Sequence, residues 1–120
     1  MNKYLITLAS REASKSNCKH KIGCIALHRN QIVSKAFNRF IDDNMNPVLG
    51  RKGTHTFHAE QIALHRTGKR EVDTLVVIRN IASGFGMSLP CKRCIAHIKR
   101  IGISTVYYSD VMGNIQKFCL

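Results

Sequence analysis

Apolar positions recur three and four apart over residues 3–15. Leu5, Leu8, Ala9 and Ala13 form one stripe and predict an amphipathic helix facing a core. The period then changes. Ile22 to Leu27 is short and almost wholly apolar, the pattern of a buried strand. Arg29 and Asn30 predict a tight turn and Gln31 to Phe37 a second strand, so the two pair as an antiparallel hairpin. From Arg39 to Thr56 periodicity disappears. Asp42, Asp43, Asn44, Asn46, Pro47, Gly50 and Gly53 are all turn formers, and the segment reads as a long loop of the functional or mobile kind.

Helical spacing returns from His58 to Thr67, with Ala59, Ile62, Ala63 and Arg66 along one stripe and Gly68 as the stop. Leu75 to Ile78 predicts a third buried strand, and Ile81 to Leu89 a loop holding Gly84 and Gly86. A helix beginning near Pro90 turns Ile95, Ile98 and Ile101 inward. Lys99 and Arg100 suit its negative end and Gly102 ends it. Val106 to Ser109 and Ile115 to Phe118 are the last strands, joined by the turn Asp110 to Asn114. That connection is too short for a crossover, so these strands form an antiparallel hairpin. Strands alternating with helices in the middle of the chain imply parallel pairing there, with helices on the faces.

The chain has 120 residues and a mass of 13.5 kDa, and residues 1–120 are expected to form one domain. Lys and Arg number 19 against 7 Asp and Glu, a formal net charge of +12. Such a surface attracts phosphate, whether on a nucleotide or a nucleic acid. No stretch approaches the roughly 20 apolar residues of a membrane span. Met1 to Ser16 carries Lys3, Arg11 and Glu12 among its apolar residues, unlike a signal peptide. The 5 Cys are an odd number, which argues against a disulfide scaffold. The expected location is therefore cytoplasmic.

Two local patterns carry chemistry. His58-Ala59-Glu60 opens the second helix and Pro90-Cys91-Lys92-Arg93-Cys94 opens the third. Spaced three apart on a helix, Cys91 and Cys94 put both sulfurs on one face. Free N–H groups and the positive dipole end of a first turn favour thiolate, the metal-binding form. With the imidazole of His58, two sulfurs make a donor set that suits Zn2+. Three protein ligands leave a fourth position for water, as in catalytic zinc sites. Glu60 points elsewhere on its helix and is placed to move a proton rather than to hold metal. Cys18 and Cys24, with His20 between them, offer a second metal site without an obvious fourth ligand. Cys24 is more simply a buried strand residue, and Cys119 a terminal packing residue.

His58-Ala59-Glu60 followed by Pro90-Cys91-x-x-Cys94 resembles the signature of the zinc-dependent cytidine and deoxycytidylate deaminases. The likeness extends to Lys21–Ala26 and Ile32–Asn38, similar to the first hairpin of deoxycytidylate-type enzymes, and to Ile98–Ser109, similar to their helix-to-strand return. It implies a three-layer α/β/α fold around a five-stranded mixed sheet. It also implies that His58, Cys91 and Cys94 hold zinc while Glu60 shuttles protons, turning cytosine into uracil and ammonia. Asn38 matches the family's sugar-contacting Asn, the backbone of Ala59 would meet the pyrimidine edge, and Tyr108 sits where relatives place an aromatic near the base or is a half-buried strand residue. A homo-oligomer, dimer or tetramer, is a further implication. The antiparallel last hairpin departs from deoxycytidylate, tRNA-adenosine and polynucleotide deaminases and agrees with free-cytidine deaminases.

The expected substrate is a phosphate-bearing cytosine nucleotide, CMP or dCMP. Lys19, Lys21, Arg39, Arg51 and Lys52 lie in or near segments bordering the site. One alternative is cytosine, with adenine ranked below it, in single-stranded DNA or RNA. That substrate would call for stacking platforms, and Phe85, then His55 and Phe57, are the candidates. A further alternative, a non-catalytic zinc-stabilised nucleic-acid-binding module, leaves Glu60 without a purpose.

Overall fold

The computed structural model describes residues 2–42, 54–68 and 70–120, with backbone alone for 40–42 and 54–57. Helix α1 (Lys3–Ala13) begins where Asn2 accepts a hydrogen bond from the backbone N–H of Tyr4 at 2.8 Å. Strands β1 (Lys21–His28) and β2 (Gln31–Phe37) pair antiparallel. Their turn residues, Arg29 and Asn30, both take positive φ, 50° and 66°. Two such residues twist the hairpin in the same sense as its strands.

A separate two-stranded ribbon follows, β3 (Arg39–Asp42) with β4 (Thr54–Phe57). Helix α2 (Ala59–Thr67) leads into β5 (Thr74–Ile81), which folds back as β6 (Gly84–Gly86). Helix α3 (Lys92–Arg100), β7 (Thr105–Ser109) and β8 (Ile115–Cys119) complete the chain.

The main sheet runs β2-β1-β5-β7-β8, with β6 added against the end of β5. Among the described strands only the β5–β7 pair is parallel; β1 pairs β5 antiparallel and β7–β8 is the expected antiparallel hairpin. Alternation sorts the strand side chains into two cores. Ile25, Leu27, Val76 and Ile78 pack under Leu5, Leu8 and Ala9 of α1. Cys24, Ala26, Leu75, Val77 and Val106 pack under Ala59 and Ala63 of α2 and Ile98 of α3. This is the expected three-layer α/β/α arrangement around a mixed sheet.

α1 lies on β1 without a side chain between them at Gly23. A Cβ there would overlap the carbonyl oxygen of Ala9 and come within 2.6 Å of the Ala13 nitrogen.

Several expectations need correction. The segment 39–56 is not loop throughout, because Arg39–Asp42 and Thr54–Phe57 pair as the ribbon; 43–53 lie outside the described residues. The segment 81–89 is likewise not loop throughout, because Gly84–Gly86 pairs back on the end of β5 and gives the sheet six described strands rather than five. Turn-forming glycines masked both, since neither carries an alternating pattern. Ile101 is 47% exposed rather than inward, as it follows the last turn of α3. On α2 the buried stripe holds Glu60 and Thr67, while Arg66 reaches outward to the Lys35 carbonyl at 2.8 Å. Phe85 is half-buried, packed against the core beneath α1, rather than freely exposed. Cys119 is exposed rather than packed. The side chains of His55 and Phe57, and all of Arg51, Lys52 and Lys69, lie outside what is described. No helix among the described residues is long and apolar enough to cross a membrane.

Candidate metal centre and proton-transfer site

Both patterns fall at helix starts, one residue earlier than a helix-interior reading places them. His58 is the N-cap of α2 in extended conformation, φ −72° and ψ 144°, and its backbone N–H donates to Oε1 of Gln61 at 3.3 Å. Cys91 is the N-cap of α3, φ −66° and ψ 166°, and its carbonyl accepts from Ile95 N–H at 2.9 Å.

A pair of buried hydroxyls delivers the chain to Cys91. Ser88 Oγ donates to the Val77 carbonyl at 2.6 Å, and the backbone N–H of Ser109 donates to Ser88 Oγ at 2.8 Å. Ser109 Oγ in turn donates to the Gly86 carbonyl. The β5–β6 excursion is thereby tied back to the ends of β5 and β7, and Pro90 starts α3 at a defined place. Neither serine stood out in the sequence. Their only signal is polar residues in otherwise apolar surroundings.

The two helix starts converge. Cys94 Sγ lies 3.7 Å from His58 Nδ1. Glu60 Oε2 lies 4.0 Å from the same nitrogen, and the ligand atoms of His58, Glu60 and Cys94 all fall within 4.8 Å of one another. Two ligands on one tetrahedral zinc, at bond lengths near 2.05 and 2.3 Å, stand about 3.6 Å apart. The His58–Cys94 separation fits that value. The carboxylate at 4.0 Å is farther than the roughly 3.3 Å expected of a nitrogen–oxygen pair on the same ion, which leaves Glu60 beside the metal position rather than on it. Cys91 stands outside the tight group but is hydrogen-bonded to the Cys94 side chain. No other His, Cys, Asp or Glu group of this kind occurs among the described residues. Cys18, His20 and Cys24 do not form one, and Cys24 is fully buried in the sheet.

Burial sets the electrostatics. The Glu60 side chain is 6% exposed, and desolvation pushes its carboxyl up to about 7 against a partial offset from its own backbone N–H. The Cys91 thiol is lowered, first by the backbone N–H of Cys94, then by the Cys94 thiol donating to it. Desolvation, with that donated hydrogen bond and the Glu60 charge behind it, pushes Cys94 up to about 12. A bound cation would favour loss of the protons from both thiols.

The other expected site residues lie near this end of the sheet. Ala59 is buried in α2's first turn. Tyr108 is half-buried on β7, opposite Val77 and, by alternation, on the α2–α3 face. Asn38 is buried, and its side chain is committed to the chain itself. Nδ2 donates to the His20 carbonyl at 2.6 Å, and Oδ1 accepts from Ile22 N–H at 2.9 Å. A cleft of about 1020 Å³ runs between α2 and α3, touching the site only through Glu60 and Cys94. Asn38 and Tyr108 do not line it.

A sheet with one helix on one face and two on the other, whose helix starts bring a histidine, a carboxylate and a cysteine together, is the arrangement of a cytidine-deaminase-like fold. The sequence matches the family described as "Cytidine and deoxycytidylate deaminase zinc-binding region" over residues 1–110, and the chain belongs to that family. Among solved structures it is similar to the dCMP deaminase of cyanophage S-TIM5 in complex with dCMP and dUMP. Identity is 21% and TM-score 0.66, covering 91% of this chain and 80% of that one. It is also similar to cytidine deaminase from Burkholderia pseudomallei, at 18% identity and TM-score 0.69 over 99% and 92% of the two chains. Cytidine deaminase from Mycobacterium tuberculosis matches at 20% identity and TM-score 0.58, covering 88% and 81%. No curated protein matches the chain.

Proposed function

We propose that the chain deaminates cytosine hydrolytically in a nucleotide of the CMP or dCMP class. The observation that carries this reading is the buried Glu60 carboxylate, 4.0 Å from His58 Nδ1 and beside Cys94. His58, Cys91 and Cys94 would hold Zn2+, whose contribution when bound is to bring the pKa of water down to roughly 7. Glu60 takes a proton from the attacking water as oxygen bonds to C4 of the base. It delivers that proton to N3, then carries the proton of the new C4 hydroxyl to the departing amine as the C4–N bond breaks, so that cytosine and water become uracil and ammonia. A carboxyl group held near 7 can play both parts at neutral pH.

The backbone of Ala59 would border the pyrimidine and Tyr108 would lie near it. Asn38, with its amide already bonded to residues 20 and 22, would contact the sugar through the remaining capacity of Oδ1. The net charge of +12 favours a phosphorylated substrate over a neutral nucleoside. Deamination of cytosine in single strands is the second reading, and it draws on the same charge. The half-burial of Phe85 against the core beneath α1 weakens its best stacking candidate. A homodimer or tetramer belongs to the first reading, and the exposed Met87, Leu89 and Ile101 offer apolar area for it.

The test is a product assay on cytidine, CMP, dCMP, dCTP and a cytosine-containing oligonucleotide, with Glu60→Gln as control. Turnover of the monophosphates above the others supports the proposal. Turnover of the oligonucleotide alone replaces it with the second reading.

A further inference from the structure

A phosphate on the substrate would need a cation near the site with donors to spare. Lys21 is turned away, its Nζ donating to the Ser16 carbonyl at 3.0 Å. Arg39 lies over the Phe37 ring, 5.1 Å from its centre. Arg79, which the hydrophobic pattern hides at the end of an apolar strand, is different. Residues 75 and 77 of β5 face α2 and α3, residues 76 and 78 face α1, and Asn80 bonds Ser10 of α1. Position 79 therefore faces α2 and α3, like the metal centre. Val77 lies opposite Cys24, and Arg79 opposite Ile22, about 7 Å farther along the strands. Cys24 and Val77 share the core cluster with Ala59, the residue between His58 and Glu60. Arg79 thus stands at the same face and the same end of the sheet as the site, one strand repeat beyond it.

The partners of Arg79 are what single it out. Its Nη2 donates to His20 Nδ1 at 2.8 Å. An Nδ1 that accepts from a guanidinium is the unprotonated nitrogen, so the ring proton sits on Nε2. The Nε of Arg79 is buried with no hydrogen-bond partner among the described residues, and no carboxylate is paired with the guanidinium there. Gly86, opposite Arg79 on β6, brings its backbone close against the arginine: a Cβ there would strike Ile81 Cγ2 at 2.9 Å and touch Arg79 Cδ and Nε at 3.5 and 3.6 Å. The backbone carrying His20 is itself held by the Asn38 amide. The result is a guanidinium with one donor matched by His20 and another unmatched, beside an imidazole that carries its own Nε2–H, a donor-rich pair that complements an anion.

We propose that Arg79, oriented by His20, is the phosphate-binding and specificity-determining residue of the site, receiving the terminal phosphate of a single nucleotide. This rests on the reading of the site as a nucleotide deaminase. One guanidinium mounted beside one imidazole suits one phosphate, whereas a strand would be held by a row of cations.

The experiment compares wild type with Arg79→Met, Arg79→Lys and His20→Gln, each checked for retained fold by circular dichroism, on dCMP, deoxycytidine and a cytosine-containing oligonucleotide. Arg79→Met should lose roughly 10- to 100-fold in kcat/KM on dCMP, mostly through KM, and nothing on deoxycytidine. Arg79→Lys should recover part of the loss, and His20→Gln should show a smaller loss of the same kind. Equal losses on dCMP and deoxycytidine, no loss on either, or a loss confined to the oligonucleotide would overturn the proposal. Binding of inorganic phosphate, followed by phosphorus NMR line broadening, is read separately. Broadening by wild type that Arg79→Met abolishes supports the anion site even if no cytosine compound is turned over, in which case the deaminase reading alone fails. Broadening that is absent, or unchanged in the variant, overturns the site.

Discussion

Cys94 Sγ and His58 Nδ1 stand 3.7 Å apart although 36 residues separate them in the chain. That distance is close to the separation of two ligands on one tetrahedral zinc ion. It is held from both sides. Gln61 braces the start of α2 and the Ser88–Ser109 pair braces the approach to α3.

Metal content and folding should respond together at these positions. Cys94→Ser is expected to lose zinc and to melt at lower temperature, because a closed metal site adds its binding free energy to folding. Elemental analysis and thermal denaturation of the same preparation check this. Unchanged zinc per chain in Cys94→Ser would remove Cys94 from the ligand set. Cys91→Ser should behave likewise.

Glu60 should separate chemistry from metal. Glu60→Gln keeps the volume and removes the proton carrier, so turnover should fall by about 10²- to 10⁴-fold, with zinc content retained. Turnover close to wild type would exclude Glu60 from proton transfer.

Gly23 should tolerate no side chain. Because a Cβ would strike the Ala9 carbonyl and the Ala13 nitrogen, both backbone atoms, Gly23→Ala forces α1 off the sheet. The expected destabilisation is about 1–3 kcal/mol, read as a lower denaturation midpoint with unchanged slope. A midpoint equal to wild type would show that α1 does not lie directly on β1.

Asp73 gives a dependence on pH. Its carboxylate accepts from Arg29 N–H at 2.9 Å and from Thr74 Oγ1 at 2.8 Å, with His28 Nδ1 at 3.6 Å. The first of these is the largest reason its pKa lies below 3.8. A carboxyl lowered by folding contributes stability above its unfolded value and loses it as pH falls through the folded one. Asp73→Asn should therefore be less stable at neutral pH, by at most about 1 kcal/mol for so exposed a group. The deficit should close as pH drops below 3.8. A deficit that stays constant down to acid pH would assign it to packing rather than charge.

Much of this molecule is readable from its residues. The first helix (read over 3–15, found over 3–13), the hairpin turning at Arg29-Asn30, the apolar strand before the cysteine pair and the closing hairpin follow from periodicity and from connections too short for anything else. The pairing of His-x-Glu with Pro-Cys-x-x-Cys was equally legible, since only a few chemistries use those residue types together. The ribbon of 39–42 with 54–57 and the strand at 84–86 were not. They are stabilised by backbone pairing, and backbone groups are the same in every residue.

Local order along the chain determined the elements, the donor types and the excess of positive charge, because each depends on residues within one or two turns of one another. Tertiary structure decided which of those residues meet. It brought His58 to Cys94 and buried Glu60 deeply enough to hold its carboxyl near 7. It turned Phe85 inward, occupied the Asn38 amide, and left Arg79 beside His20 with an unmatched donor. Burial and unpaired polarity depend on what packs from distant segments, and no local pattern encodes them.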